Sequence, residues 1–63
     1  MAEALLGVDA LAGELGVPIS TIYAWRHRGL GPRGYKVGKY VRYRRADIEA
    51  WLELQADPRP VPA

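Results

Sequence analysis

The side chains of this chain that could do chemistry lie between positions 20 and 44, and their types suit recognition of phosphates and base edges rather than bond-making. The first group is Ser20, Thr21, Tyr23, Ala24, Arg26, His27 and Arg28. At about 100° per residue, Ser20, Tyr23, Ala24 and His27 share one side of a helix, opposite Ile22 and Trp25. Thr21 with Arg28, and Ile19 with Arg26, lie on the flanks. Short hydroxyl side chains reach bases or phosphates, and an alanine methyl can meet a thymine methyl. Tyr23 carries its hydroxyl on a rigid arm suited to a phosphate, or it packs against Lys36 or the loop. Arg26 and Arg28 suit phosphate or base contact, with pairing to Glu14 or Asp47 as the alternative. His27 is the only histidine; without cysteine or a second histidine it makes no metal site and is read as a DNA contact or as plain exposed surface.

The second group, Lys36, Lys39, Tyr40, Arg42 and Arg44, falls in a stretch of period two. Lys39 and Tyr40 at a hairpin tip, with Lys36, Arg42 and Arg44 on its outer face, suit the narrow, negative minor groove. The alternative is a basic hairpin held off the DNA, with Tyr40 packing on a sugar or on a neighbouring copy.

Charge supports this grouping. Residues 1–25 carry Glu3, Asp9 and Glu14 without a base, residues 26–45 carry eight Lys and Arg without an acid, and residues 46–63 are again acidic, leaving a net +2. Eight like charges in 20 residues repel one another unless an anion is near. Catalytic arrangements are missing: Asp47 and Glu49 do not share a helix face, and there is no Ser/His/Asp set, phosphate-cradling glycine loop or metal cluster. A 63-residue chain buries only about 60% of its unfolded surface, too little for a core and a deep pocket together. No enzyme activity, cofactor or metal is therefore expected. The absence of cysteine excludes disulfides. Nothing reads as a signal peptide or a span of ~20 apolar residues, so a cytoplasmic protein with no membrane partner is expected.

The elements that must position these residues can be read in order. Residues 1–6 form an extended lead-in whose Leu5 and Leu6 dock on the core. Gly7 caps a first helix in which Val8, Leu11, Ala12 and Leu15 make the apolar stripe. Gly16 ends that helix in a left-handed turn, and Pro18 suits the start of a second helix at 19–28. Leu30 anchors the Gly/Pro-rich loop that follows. Tyr35, Val37, Val41 and Tyr43 alternate with basic residues, which reads as a hairpin over 35–44. A three-residue loop, Gly38-Lys39-Tyr40, puts all four apolar residues on one buried face, whereas a two-residue turn, Gly38-Lys39, places Arg42 on the face of Tyr35; the first register is expected. A third helix at 45–55 buries Ile48, Trp51 and Leu52. Trp25 and Trp51 are read as core residues that touch or share Leu11 and Val37 as neighbours. Residues 1–56 form the domain and residues 57–63 a Pro-rich flexible tail.

The order of Leu-Gly-Val-Pro, Ser20-Thr21-Ile22-Tyr23-Ala24-Trp25-Arg26, Arg-Gly-Leu, a Val-Gly-Lys hairpin and Asp47-Ile48-Glu49-Ala50-Trp51-Leu52 resembles the small winged helix-turn-helix proteins of the excisionase, or recombination directionality factor, type. These are similar to the DNA-binding domains of MerR-like regulators. The resemblance covers about residues 5–54. It departs from the family pattern at Gly7, where a hydroxyl residue is usual, and at Pro18, where Ser or Thr is common. It implies a mainly α fold with a small β-hairpin, a recognition helix at 19–28 in the major groove and a wing at 35–44 in the minor groove. It further implies an architectural factor that binds duplex DNA cooperatively with further copies of itself, recruits a site-specific integrase and is nucleoid-associated. A small MerR-like transcription regulator is the alternative, and a protein–protein adaptor a more distant one.

Overall fold

The computed structural model describes residues 3–57, in the order α1 (Val8–Leu15), α2 (Ile19–His27), β1 (Gly34–Val37), β2 (Tyr40–Tyr43) and α3 (Arg45–Leu54). Three helices and a two-stranded antiparallel hairpin make a small winged helix-turn-helix. Apart from Asp57, the expected tail lies outside the described residues.

The helix-turn-helix forms as its residues require. Gly7 precedes α1 in an extended conformation, without a side-chain cap, and Asp9 sits in the first turn where the helix dipole favours an acid. Val8, Leu11 and Ala12 are buried and Leu15 packs on them. Gly16 closes α1 at φ 70°, the left-handed region open to glycine. Its N–H and that of Val17 donate to the Ala12 carbonyl, satisfying an oxygen that the helix leaves orphaned. Pro18, extended, then starts α2, whose Ile22 is buried and whose Trp25 is half-buried against the same core.

The hairpin corrects the expected register. Pairing runs Gly34–Tyr43, Tyr35–Arg42, Lys36–Val41 and Val37–Tyr40, so the turn holds only Gly38 and Lys39. Gly38 has φ 62° while Lys39 keeps a negative φ, the combination of a type II′ turn that matches the strand twist. Tyr35, Val37, Tyr40 and Arg42 therefore share one face, and Tyr43 and Val41 share the other with Lys36. Tyr43 is buried in the core and Val41 packs against it, whereas Val37 is half exposed. Arg42 thus does not share a face with Lys36, contrary to expectation. The four apolar side chains need not be buried together because Tyr35 finds a polar partner: its hydroxyl donates to Asp47 Oδ2 of α3 at 2.9 Å.

The lead-in supplies a third edge. Leu6 and Tyr43 exchange two backbone hydrogen bonds of 2.9 and 2.8 Å, which covers the free edge of β2 and buries Leu6. Leu5 remains exposed, as do Leu30 and Leu52, so none of these three anchors the core. The tryptophans do meet, with ring centroids 5.4 Å apart and planes tilted by 47°. Both are half-buried beside Leu30, Gly31 and Gln55, and Val37, half exposed, lies outside the core. No helix among the described residues is long and apolar enough to cross a membrane.

Candidate nucleic-acid interface

The outer side of α2 and the tip of the hairpin face each other across a cleft of about 400 Å³. Its lining comes from three elements: Val8 and Asp9 at the start of α1, Ile19 and Tyr23 on α2, and Lys39, Tyr40, Val41 and Arg42 on the hairpin. The two-residue turn pairs Tyr40 with Val37 and Arg42 with Tyr35, so these four side chains share one face of the hairpin. Were the loop one residue longer, every side chain of β2 would change face relative to β1.

The cations of the hairpin are arranged by aromatic rings. The Arg42 guanidinium carbon lies 4.9 Å from the centre of the Tyr40 ring and the Lys39 ammonium 5.5 Å from it. Arg42 Nη1 also donates to the Val41 carbonyl at 2.9 Å. Arg33 sits 5.2 Å above the Tyr35 ring. Such cation–π contacts are worth about 0.5–1 kcal/mol at exposed sites, enough to bias an arginine towards one orientation. Lys36 is exposed on the other face of β1.

On α2, Ser20, Ala24, His27 and Arg28 are exposed, Thr21 is half-buried and Tyr23 is 54% exposed. No other part of the described chain covers the outward side of this helix. Arg26 bridges to the hairpin: its Nη1 lies 2.8 Å from where a Gly34 Cβ would stand, beside the Tyr43 ring. Burial pushes the Tyr43 phenol above its usual pKa, and the neighbouring Arg26 charge works against that shift. The alternative pairings of Arg26 and Arg28 are filled by other groups, since Glu14 is taken by Arg45 and Asp47 accepts from Tyr35.

Arg44 departs from the expected set. Its Nε and Nη2 both reach Glu3 Oε1 at 2.9 Å, which with the nearby Tyr35 hydroxyl holds its pKa above the ordinary value. Arg45 grips Glu14 in two bonds of 2.6 and 3.0 Å, which lowers the Glu14 pKa. These two arginines tie the hairpin's exit to the lead-in and to α1, and neither lines the cleft. The structure thus brings Tyr23, Lys39, Tyr40 and Arg42 together, leaves Ser20, Thr21, Ala24, Arg26, His27, Arg28 and Lys36 on the adjoining surfaces, and separates Arg44. Sequence reasoning missed Asp9 and Ile19 as cleft residues. In the sequence the first enters only the count of acids, and the second sits on the flank of the wheel. Only the hairpin's approach to the two helix starts reveals them.

Residues 5–55 match the family model described as the helix-turn-helix domain. The chain belongs to that family. No curated protein and no solved structure matches it. The helix-turn-helix domain is a small DNA-binding domain, so membership implies a DNA partner for this chain.

Proposed function

We propose that this helix-turn-helix protein binds duplex DNA as an architectural factor of the excisionase type, with residues 1–56 as the binding unit. Ser20, Thr21, Tyr23, Ala24, His27 and Arg28 face the major groove from α2, with Arg26 at the junction. Lys36, Lys39, Tyr40 and Arg42 carry the wing to the neighbouring minor groove. The observation that carries this reading is the single cleft shared by Tyr23, Lys39, Tyr40 and Arg42. A helix that reads one groove and a hairpin that reads the next must straddle the strand between them, and the cleft is where that strand passes.

One such module contacts a short site, so useful discrimination needs several copies bound side by side. The exposed acidic face of α3, where Glu49, Ala50, Leu52 and Glu53 adjoin, supports a role in recruiting an integrase. Protection mapping on attachment-site and promoter duplexes, with an excision assay on the same attachment site, tests the reading. Protection of adjacent sites with stimulated excision is expected. Promoter protection without any effect on excision would make the protein a MerR-like transcription regulator instead. Undiminished DNA affinity after Arg26→Ala with Lys39→Ala would point to a protein–protein adaptor.

A further inference from the structure

Of the three charged side chains that line the cleft, Lys39 and Arg42 are cations and Asp9 is the exception, with no role in the reading above. Asp9 projects into it from the first turn of α1, opposite Lys39 and Arg42. The place a Gly7 Cβ would take lies 2.9 Å from Asp9 Oδ1 and 3.6 Å from Arg42 Nη1, so the carboxylate and the guanidinium converge on the space that glycine leaves open. They do not form one of the two direct ion pairs among the described residues. Those pairs occupy Glu3 and Glu14, and Asp47 accepts from Tyr35, so the acids nearest the basic run each have a partner outside the cleft. Arg42 meanwhile is held in place by the Tyr40 ring and the Val41 carbonyl. A carboxylate beside a fixed guanidinium, on a surface shaped for phosphate, repels the very ligand the surface attracts.

We infer that Asp9 is a specificity-determining residue: an internal counter-anion that competes with backbone phosphate for Arg42 and so holds down binding to DNA of arbitrary sequence. This rests on the proposed DNA-binding surface and adds its regulation. Phosphate attraction is the same for every sequence, whereas base-edge contacts are not. Lowering the first term leaves a larger share of the free energy to the second. A site that seats the strand well lets Arg42 exchange Asp9 for phosphate at full contact; a poorly fitting one does not.

The test is Asp9→Asn in the full chain, titrated against a random-sequence duplex at about 0.1 M salt. Removing the competing charge is equivalent to gaining up to one phosphate contact, so binding tightens about three- to eight-fold and the slope of log K against log salt steepens by up to about 0.9. In an Arg42→Gln background the same substitution gives a clearly smaller gain in both quantities, the remainder being the carboxylate's direct repulsion of phosphate. Asp9→Asn also removes a favourable first-turn charge from α1, so damage to the fold would weaken binding. A tighter complex therefore cannot come from destabilisation. Unchanged or weaker binding, or an equal gain in the Arg42→Gln background, overturns the inference. Retention on immobilised heparin provides a readout independent of DNA. If the wild-type protein ignores duplex yet Asp9→Asn raises the eluting salt more with Arg42 than with Arg42→Gln, the competition of Asp9 with an outside anion for Arg42 stands, and the DNA-binding reading falls together with the role in DNA specificity.

Discussion

The salt dependence of DNA binding can be worked out from which basic residues have partners of their own. Of the eight in residues 26–45, Arg44 and Arg45 are engaged by Glu3 and Glu14, and Arg33 stacks on Tyr35 beside the α3 side of the hairpin. Arg26, Arg28, Lys36, Lys39 and Arg42 border the α2–wing surface. With about five phosphates neutralised, log K falls against log salt with a slope near −4.5, so affinity drops about 500-fold between 50 and 200 mM salt. Fluorescence anisotropy with a labelled duplex measures this directly. Lys39→Gln and Arg42→Gln should each flatten the slope by about 0.9, and together by about 1.8. Arg44→Gln and Arg45→Gln should leave the slope unchanged while lowering thermal stability only slightly, since water and salt screen exposed pairs. A slope shallower than about −2, or a loss for Arg45→Gln equal to that for Arg42→Gln, would refute the partition of the cations.

Four further outcomes follow from packing and titration. Trp51→Ala should destabilise by about 2–4 kcal/mol in denaturant unfolding, below the range for a fully buried tryptophan because the ring is half-buried against Trp25. Gly31→Ala should destabilise by about 1–3 kcal/mol, because Gly31 has φ 83° and its Cβ would press on the Trp25 ring at 3.3 Å. Gly13→Ala should instead stabilise by about 0.5–1 kcal/mol, since that site is helical and meets nothing within 4 Å. Glu14 has a folded pKa below the 4.5 of an ordinary glutamate, so its contribution to stability is present above that value and is lost as pH falls through the lowered one. Thermal melts should show this acid-side loss in the wild type, and Glu14→Gln should remove that part of it.

The helices were legible because each is local. Val8, Leu11, Ala12 and Leu15 carry the stripe of α1, Gly16 ends it, and Pro18 opens α2. Their boundaries need only propensity, period and turn chemistry. The hairpin register was not legible, because it depends on contacts remote in sequence. Alternation in Tyr35, Val37, Val41 and Tyr43 implies one buried face only if each apolar residue must be buried. Tyr35 escapes that demand through Asp47, 12 residues on, and the exposed Val37 simply accepts water. A Gly at the first turn position, with its preference for a positive φ, was the local signal that favoured the shorter turn. The same limit explains Arg44, whose partner Glu3 is 41 residues away, and Arg45, whose partner Glu14 is 31 away.

The register matters more for function than its size suggests. The slip leaves β2 as expected, with Tyr43 and Val41 towards the core and Arg42 away from it, and moves β1 instead, bringing Tyr35 and Val37 to the face of Tyr40 and Arg42. Arg44, expected beside them, then lies where the chain turns into α3 and serves as a strut to the lead-in, whose Leu6 is bonded to Tyr43. Cations in one 20-residue run thus divide by role. Those next to Glu3 and Glu14 brace the wing against the lead-in and α1, and Lys39 and Arg42, which line the cleft, form no direct ion pair with a described residue. Net charge cannot reveal this division, because both sets contribute to it equally. What separates them is whether an acid from another element arrives within about 4 Å, and for Arg42 the approaching acid, Asp9, stops short of a direct ion pair.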